Sequence, residues 1–194
     1  RYFVLREISF GQDGDFSRMN FLHRTNAELA NDLGNLLSRA TAMIGKFCEG
    51  YVPIQETFEE IDREFEPLAA EILANYKCKM DSMDFQGAFA EVMRLVGRAN
   101  KYIDETAPWS LAKEESSKGR LGTVLYNVAE TCRVAAILLS PVLTKGAPEI
   151  WHQLGLDGTP ADAGLDAAKW GGLVPGTEVR RCDPVYPRID IKAV

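Results

Sequence analysis

The sequence predicts an all-α protein, a bundle of about five helices with a short N-terminal strand and loop and an extended C-terminal tail. Through most of residues 1–156, apolar residues recur at steps of three and four, which is the period of amphipathic helices. Prolines and glycines separate these stretches. Beyond Leu156 the composition changes to glycine, proline and aspartate, which favours an extended chain.

The N-terminal apolar run at 2–5 is followed by turn residues at 11–15, and this pattern predicts a strand and a loop rather than a helix. The aspartates on either side of Gly14 match only part of a calcium loop, so we interpret them as turn and cap residues. Because the chain starts at Arg1 and not at Met, we expect it to be part of a longer protein.

The first predicted helix covers 17–47, where one apolar stripe follows the helical wheel. Asn35 and Arg39 fall on the opposite side, so we expect both side chains to face outward. Asn26 falls near the apolar stripe and is expected to be a buried, hydrogen-bonded residue. The stripe consists of Leu22, Leu29, Leu33, Leu36, Leu37, Ala40, Ile44 and Phe47, and the polar side also carries Glu28, Asp32 and Lys46.

Two further helices are predicted at 54–76 and 84–105. In the first, we expect the acidic residues to face outward and Pro67 to introduce a kink. In the second, Asp84 is the expected N-cap. The inward residues are Phe58, Ile61, Phe65, Leu68 and Ile72 in the first helix and Phe85, Phe89, Val92, Val96, Ala99 and Ile103 in the second.

The most apolar helix is predicted at 118–139 and should lie at the centre of the bundle, and a shorter helix is predicted from Pro141 to near Gly155. We find no uninterrupted apolar run of about 18 residues, so we expect a soluble protein with no membrane partner. Four scattered cysteines without a Cys-x-x-Cys pair indicate reduced thiols, a cytoplasmic location and no metal centre.

The net charge of −6 opposes binding to nucleic acid at first sight, because phosphate contacts normally need a basic surface. The acidity is local, however: residues 54–107 carry 12 acidic and 6 basic side chains, whereas 1–53 is neutral. We therefore expect the acidic helix to face away from a bound RNA. Five basic residues are expected to remain available for RNA, namely Arg39, Lys46, Arg98, Lys101 and Lys118.

Two polar features predict a protein that reads unpaired RNA bases. Asn35 and Arg39 are four residues apart, so they project side by side from one helix. Arg39 donates hydrogen bonds and Asn35 both donates and accepts, so the two complement the edge of a base. Trp109 follows Pro108 at a helix start, where its ring can stack on a base. The alternatives are a solvated polar face for the pair and a core position for Trp109.

Four separated segments resemble the C-terminal region of methionyl-tRNA synthetases, in the same order and across nearly all 194 residues. They are RYFVLREISFGQDGDFS at 1–17, NAELANDLGNLLSR at 26–39, NKYIDETAPW at 100–109 and YPRID at 186–190. The resemblance implies the end of a stem-contact region or connector at 1–16, a helical anticodon-binding bundle at 17–156, and a tail at 157–194 that packs back on the bundle or connector.

The resemblance also implies that Trp109, positioned by Pro108, stacks on the first anticodon base while Asn35 and Arg39 hydrogen-bond to splayed bases of a CAU anticodon. The implied partners are the tRNA(Met) anticodon stem-loop and the catalytic domain of the same chain, with no DNA. The family charges tRNA(Met) with methionine by means of ATP and Mg²⁺. This chain has no H-I-G-H-type or K-M-S-K-S-type motif and no zinc knuckle, so we expect it to bind the anticodon without a cofactor and without catalysis of its own.

Two other functional classes were weighed against an RNA-binding module. A helical adaptor could hold a protein partner with its acidic face at 54–76. A carboxylate di-metal oxidase is set aside, on the expectation that these helices carry no Glu-x-x-His pair.

Overall fold

The computed structural model describes residues 1–190, so the last four residues of the predicted tail lie outside the described part of the chain. The prediction of an all-α bundle is confirmed, and the described residues hold no strand beyond one isolated antiparallel bridge between Tyr51 and Glu178. In chain order the helices are α1 (Tyr2–Glu7), α2 (Arg18–Arg24), a π-helical segment (Thr25–Gly34), α3 (Asn35–Phe47), α4 (Phe65–Asp81), α5 (Phe85–Thr106), α6 (Pro108–Leu111), α7 (Lys118–Leu139), α8 (Gly146–Gln153) and α9 (Pro160–Ala163). Short 3₁₀ turns lie at Glu60–Asp62, Glu115–Ser117 and Leu165–Ala168.

Helix α7 forms the centre of the bundle, as predicted, and every residue from Arg120 to Leu139 is buried. Helices α3, α5 and α8 pack around it. A stretch within Glu115–Leu139 has the length and mean hydropathy of a membrane span, although charged residues such as Glu130 and Arg133 interrupt it, and it is wholly buried inside the bundle. Its apolar composition is therefore accounted for by its position in the core.

The N-terminal segment is a helix, so the predicted strand at 2–5 is wrong. Helix α1 packs against α5, with the Tyr2 and Phe89 ring centroids 6.0 Å apart. The Tyr2 hydroxyl also donates to Glu28 Oε2 at 2.5 Å. Distant contacts decide the conformation of so short a run, which carries little periodicity of its own.

The second predicted helix begins at Phe65 rather than at 54. Residues 54–64 instead cross the surface of α7, to which the Gln55 side chain donates a hydrogen bond of 2.9 Å. Pro67 consequently lies in the first turn of α4, where its missing N–H has no intrahelical partner to lose, so the reason to expect a kink no longer applies. Phe58 is 47% exposed, so its predicted inward position is also wrong.

The predictions for the two polar residues Asn26 and Asp84 are confirmed. Asn26 is buried and makes two hydrogen bonds of 2.8 Å with the backbone of Ile189, and Asp84 caps α5 by accepting from the Gly87 N–H at 2.9 Å. The predicted outward face of the first helix is only partly correct: Asn35 is exposed, but Glu28, Asp32 and Arg39 are half-buried. The π-helical winding between α2 and α3 changes the angle per residue, and α1 covers Glu28.

Candidate nucleic-acid interface

The chain makes a sharp corner where α5 ends and α6 begins. Ala107 adopts a left-handed conformation (φ 43°), and its N–H donates to Ile103 O at 3.0 Å and so closes α5. Pro108 then occupies the first position of α6, where its fixed φ suits a helix start. Pro108 is buried, whereas Trp109 is 46% exposed. The corner therefore anchors its proline in the protein and presents its indole to solvent.

The three tryptophans of the chain occupy different environments. Trp151 is buried and donates its indole N–H to Asp157 O at 2.9 Å. Trp170 stacks on Phe65 with the ring centroids 5.4 Å apart. Among the described residues, Trp109 has neither a hydrogen-bond partner for its indole N–H nor a ring stacked on it, and it is the most exposed of the three tryptophans. A core role, the alternative considered for Trp109, is thus excluded.

Helix α3 brings Arg39 to the C-terminal end of α5, next to the corner that holds Trp109. Arg39 Nη2 lies 2.9 Å from Asp104 Oδ1, and Asp104 stands in the last turn of α5, immediately before the corner that holds Trp109. One turn earlier on α3, Asn35 is exposed, as expected. Asn100 strengthens this arrangement because its amide donates to Asp32 O at 3.2 Å and so joins α5 to the segment that precedes α3.

A buried polar network lies within the bundle between the end of α5 and the start of α7. The Tyr102 hydroxyl donates to Asp62, Arg120 Nη1 lies 2.9 Å from the same carboxylate, and Asn127 Nδ2 donates to the Tyr102 hydroxyl at 3.3 Å. Burial, together with the hydrogen bond to Asp62, raises the pKa of Tyr102, so its phenol remains a donor at neutral pH. The network fixes the helix end from which the Trp109 corner projects.

The cations expected to be available for RNA are mostly paired within the protein. The pairs are Arg39–Asp104, Arg98–Glu64, Lys101–Glu105 and Lys118–Glu115. Desolvation acts to raise the pKa of Glu105, but hydrogen bonds and charges from Lys101 and Arg98 outweigh it and lower that pKa. The exposed pairs Lys101–Glu105 and Lys118–Glu115 contribute little stability, so a phosphate can replace the carboxylate at little cost. Arg98 is held more firmly, because it bonds to both Glu64 and Glu105.

Of the seven acidic side chains at 54–76, four pair with arginines of the same chain, and one of these four is Asp62 of the buried network. Glu59 lies 3.2 Å from Arg120, and the Glu64 and Glu71 carboxylates accept from arginines of α5 at 2.8 Å and 2.7 Å. This pairing removes much of the free acidic surface that a protein adaptor would offer. The expectation that no Glu-x-x-His pair exists is also wrong, because α8 carries one at Glu149–His152. A di-metal carboxylate site needs two such motifs, and the sequence has one.

Sequence reasoning missed three residues that position the candidate interface: Asp104, Arg120 and Asp62. Asp104 belongs to the quoted NKYID segment, but nothing local indicates that it binds Arg39 across 65 positions. Arg120 carried a usable signal, a cation at the edge of an otherwise apolar helix. Asp62 carried none, because it is one of many acids in its stretch.

Comparison with known families assigns both parts of the chain. Residues 52–192 match the family described as the anticodon binding domain of methionyl tRNA ligase. Residues 1–41 match the family described as class I tRNA synthetases (M).

Curated relatives agree with this assignment. The methionine–tRNA ligase of Caldanaerobacter subterraneus subsp. tengcongensis is 46% identical over 192 residues, and that of Clostridium tetani is 45% identical over 193 residues. The chain covers 30% of the length of each. Among solved structures, apo methionyl-tRNA synthetase from Mycobacterium tuberculosis is similar with a TM-score of 0.90 and 34% identity, over 97% of this chain and 38% of that one.

Proposed function

The chain belongs to the family of the anticodon-binding domain of methionyl tRNA ligase, and on that premise we propose that it reads the CAU anticodon of tRNA(Met) with Trp109, Asn35 and Arg39. Trp109 provides the stacking platform for an unstacked base, and Pro108 sets its position. Arg39 and Asn35 read base edges by hydrogen bonding. The remaining contacts are to the phosphates of the stem-loop.

The exposure of Trp109 carries this proposal. Burial of a tryptophan contributes a large hydrophobic stabilisation, so a tryptophan left 46% exposed beside a buried proline needs a reason other than packing. Stacking on a base supplies that reason, because it removes the indole face from water only when RNA is bound. Arg39 supports it, since its carboxylate partner Asp104 has a side chain that is itself 69% exposed.

In this proposal, the complete ligase reaction requires a protein longer than the 194 residues of this chain. The chain spans 30% of the curated relatives it matches, and it has none of the phosphate-binding motifs of the catalytic domain. ATP-dependent activation of methionine, with Mg²⁺, and its transfer to tRNA(Met) are therefore assigned to the catalytic domain of the same chain, in the cytoplasm. Alone, residues 1–194 bind the anticodon stem-loop without charging it.

In this proposal, residues 1–16 are a connector to that catalytic domain. Residues 17–156 form the anticodon-binding bundle, and residues 157–194 form the tail that returns to it. An aromatic cluster supports the connector role. Phe3 makes edge contacts with Phe16 and Phe21 at 5.6 Å and 5.4 Å, yet Phe16 remains 63% exposed. An exposed aromatic cluster of this kind marks a surface that packs against another domain.

The test is a binding comparison at stated low salt between a CAU stem-loop and stem-loops changed at one anticodon base, because the negative charge of the chain makes affinity salt-sensitive. We expect preference for CAU and quenching of the Trp109 fluorescence at saturation. The variant Trp109→Phe removes that signal but keeps a ring, so it shows whether the quenching comes from Trp109 or from the other two tryptophans. Equal affinity for every loop would overturn the proposal.

A further inference from the structure

Two side chains of α8 and one of the C-terminal tail, all of types that can ligate a metal, come together beside α8. The ligand atoms of Glu149, His152 and Cys182 all lie within 4.8 Å of one another. Glu149 and His152 are three residues apart on α8 and so share a helix face, whereas Cys182 belongs to the C-terminal tail. None of the three contributes to the anticodon interface described above.

The tail is held in place on both sides of Cys182. Before it, the Arg180 N–H donates to Gln153 O at 2.8 Å, and after it, Asp183 O accepts from Gln153 Nε2 at 3.0 Å. Gln153 is itself buried. Two hydrogen bonds to one buried residue therefore fix the backbone that carries the thiol, and the nearness of Cys182 to His152 follows from the fold rather than from a freely moving tail.

Gln153 also orients the Glu149 carboxylate by a hydrogen bond. Gln153 Nε2 also donates to Glu149 Oε1 at 3.0 Å, and His152 Nδ1 lies 4.0 Å from that oxygen. Hydrogen bonds from a neighbouring side chain to a ligating group are the usual means of orienting metal ligands. Gln153 thus links the helix ligands and the tail.

We propose that Glu149, His152 and Cys182 bind a divalent cation of the zinc type and thereby cross-link the tail to α8. A thiolate, an imidazole and a carboxylate match the ligands of Zn²⁺ and Co²⁺ and not the all-oxygen ligands of Mg²⁺ or Ca²⁺. Tetrahedral zinc would bring the ligand atoms to about 3.5 Å from one another. His152 and Cys182 are exposed, so their side chains can adjust, and a water molecule would complete the fourth position.

The chain offers a matched control for each of the two decisive ligands, since it has two histidines and a second exposed cysteine. Titration of the purified chain with Co²⁺ should produce a thiolate-to-cobalt charge-transfer band at a stoichiometry of one. We expect Cys182→Ser to abolish the band and His152→Ala to weaken cobalt binding at least about tenfold. The control variants Cys78→Ser and His23→Ala should leave both unchanged.

Zinc protection of the thiols provides the second measurement. Zn²⁺ should slow the alkylation of Cys182, identified by peptide mass, without affecting Cys78, and a chelator should reverse the protection. Lower pH should weaken binding, because metal ligands must be deprotonated. Absence of the cobalt band in the unchanged chain, or its equal loss in Cys78→Ser, would overturn the proposal. Neither measurement involves RNA, so the result is independent of the proposed anticodon function.

Discussion

The Glu130–Arg133 pair and the Arg39–Asp104 pair join the same two chemical groups, but the first is sealed inside the bundle and the second lies on its surface. Glu130 accepts from the Arg133 guanidinium at 2.6 Å and 2.7 Å. It also accepts from three backbone N–H groups of the tail, those of Gly171, Gly172 and Leu173, at 2.7–3.0 Å. Arg39 and Asp104 share one hydrogen bond.

The difference shows that an arginine–carboxylate pair can either stabilise the fold or remain available for a ligand, depending on its burial. Burial without partners would cost Glu130 several kcal/mol. Its hydrogen bonds to Arg133 and to the backbone of 171–173 offset that cost and attach this part of the tail to α7. Gly172 allows this close packing, because a Cβ at that position would lie only 2.6 Å from Arg133 Cζ. The Arg39–Asp104 pair lies at the surface, where an ion pair contributes little stability, and an exchangeable pair is what the proposed base contact of Arg39 requires.

The comparison is tested most strongly by Glu130→Gln. The amide keeps the size of the side chain but leaves Arg133 buried without its counter-charge, so we expect the free energy of unfolding to fall by about 3–5 kcal/mol. Urea denaturation followed by circular dichroism measures this loss. Asp104→Asn is the matched control on the surface, and similar losses for both variants would contradict the distinction between the pairs.

Trp109→Ala tests the exposed region through its affinity for the stem-loop rather than through the free energy of unfolding. Loss of the stacking platform should weaken stem-loop affinity by about 1–3 kcal/mol, with the helical circular dichroism unchanged. The control is Phe10→Ala, which removes a ring that is 63% exposed and that contacts Phe85, at the end of α5 opposite to the Trp109 corner. If Trp109→Ala unfolded the bundle, the residue would be structural.

Arg39→Ala tests what the surface arginine reads. If it contacts a base edge, its removal should reduce the preference for CAU over a one-base variant, by about 1–3 kcal/mol at the affected position alone. Parallel titrations of both stem-loops measure the ratio. A uniform loss across all loops, together with a smaller salt dependence, would instead identify Arg39 as a phosphate contact.

The smallest expected effect belongs to Asp104→Asn. Its surface ion pair contributes little, so stability should change by less than about 1 kcal/mol. Stem-loop affinity should rise slightly, because the variant releases the Arg39 guanidinium and removes a negative charge near the RNA. A fall in affinity would mean that Asp104 orients Arg39 for binding, and the exchangeable character of the pair would then be refuted.

The fold was accessible to sequence reasoning where one helix carries its own pattern. Helix α7 was predicted with its observed ends, and α5 with its cap at Asp84, because apolar spacing and capping act within a few residues. The same reasoning failed at 2–5 and at 54–64. There, short segments take their conformation from distant contacts with the bundle, such as the hydrogen bond from Tyr2 to Glu28.

The sequence by itself determined the fold class, the family and the four residues Asn35, Arg39, Pro108 and Trp109 as candidates, since helical period and ordered motifs are local properties of the chain. Only the tertiary structure decided that Trp109 is exposed, that Arg39 pairs with Asp104, and that Cys182 lies beside His152. Such contacts join residues tens of positions apart, and they depend on how the helices pack around α7 rather than on any local pattern.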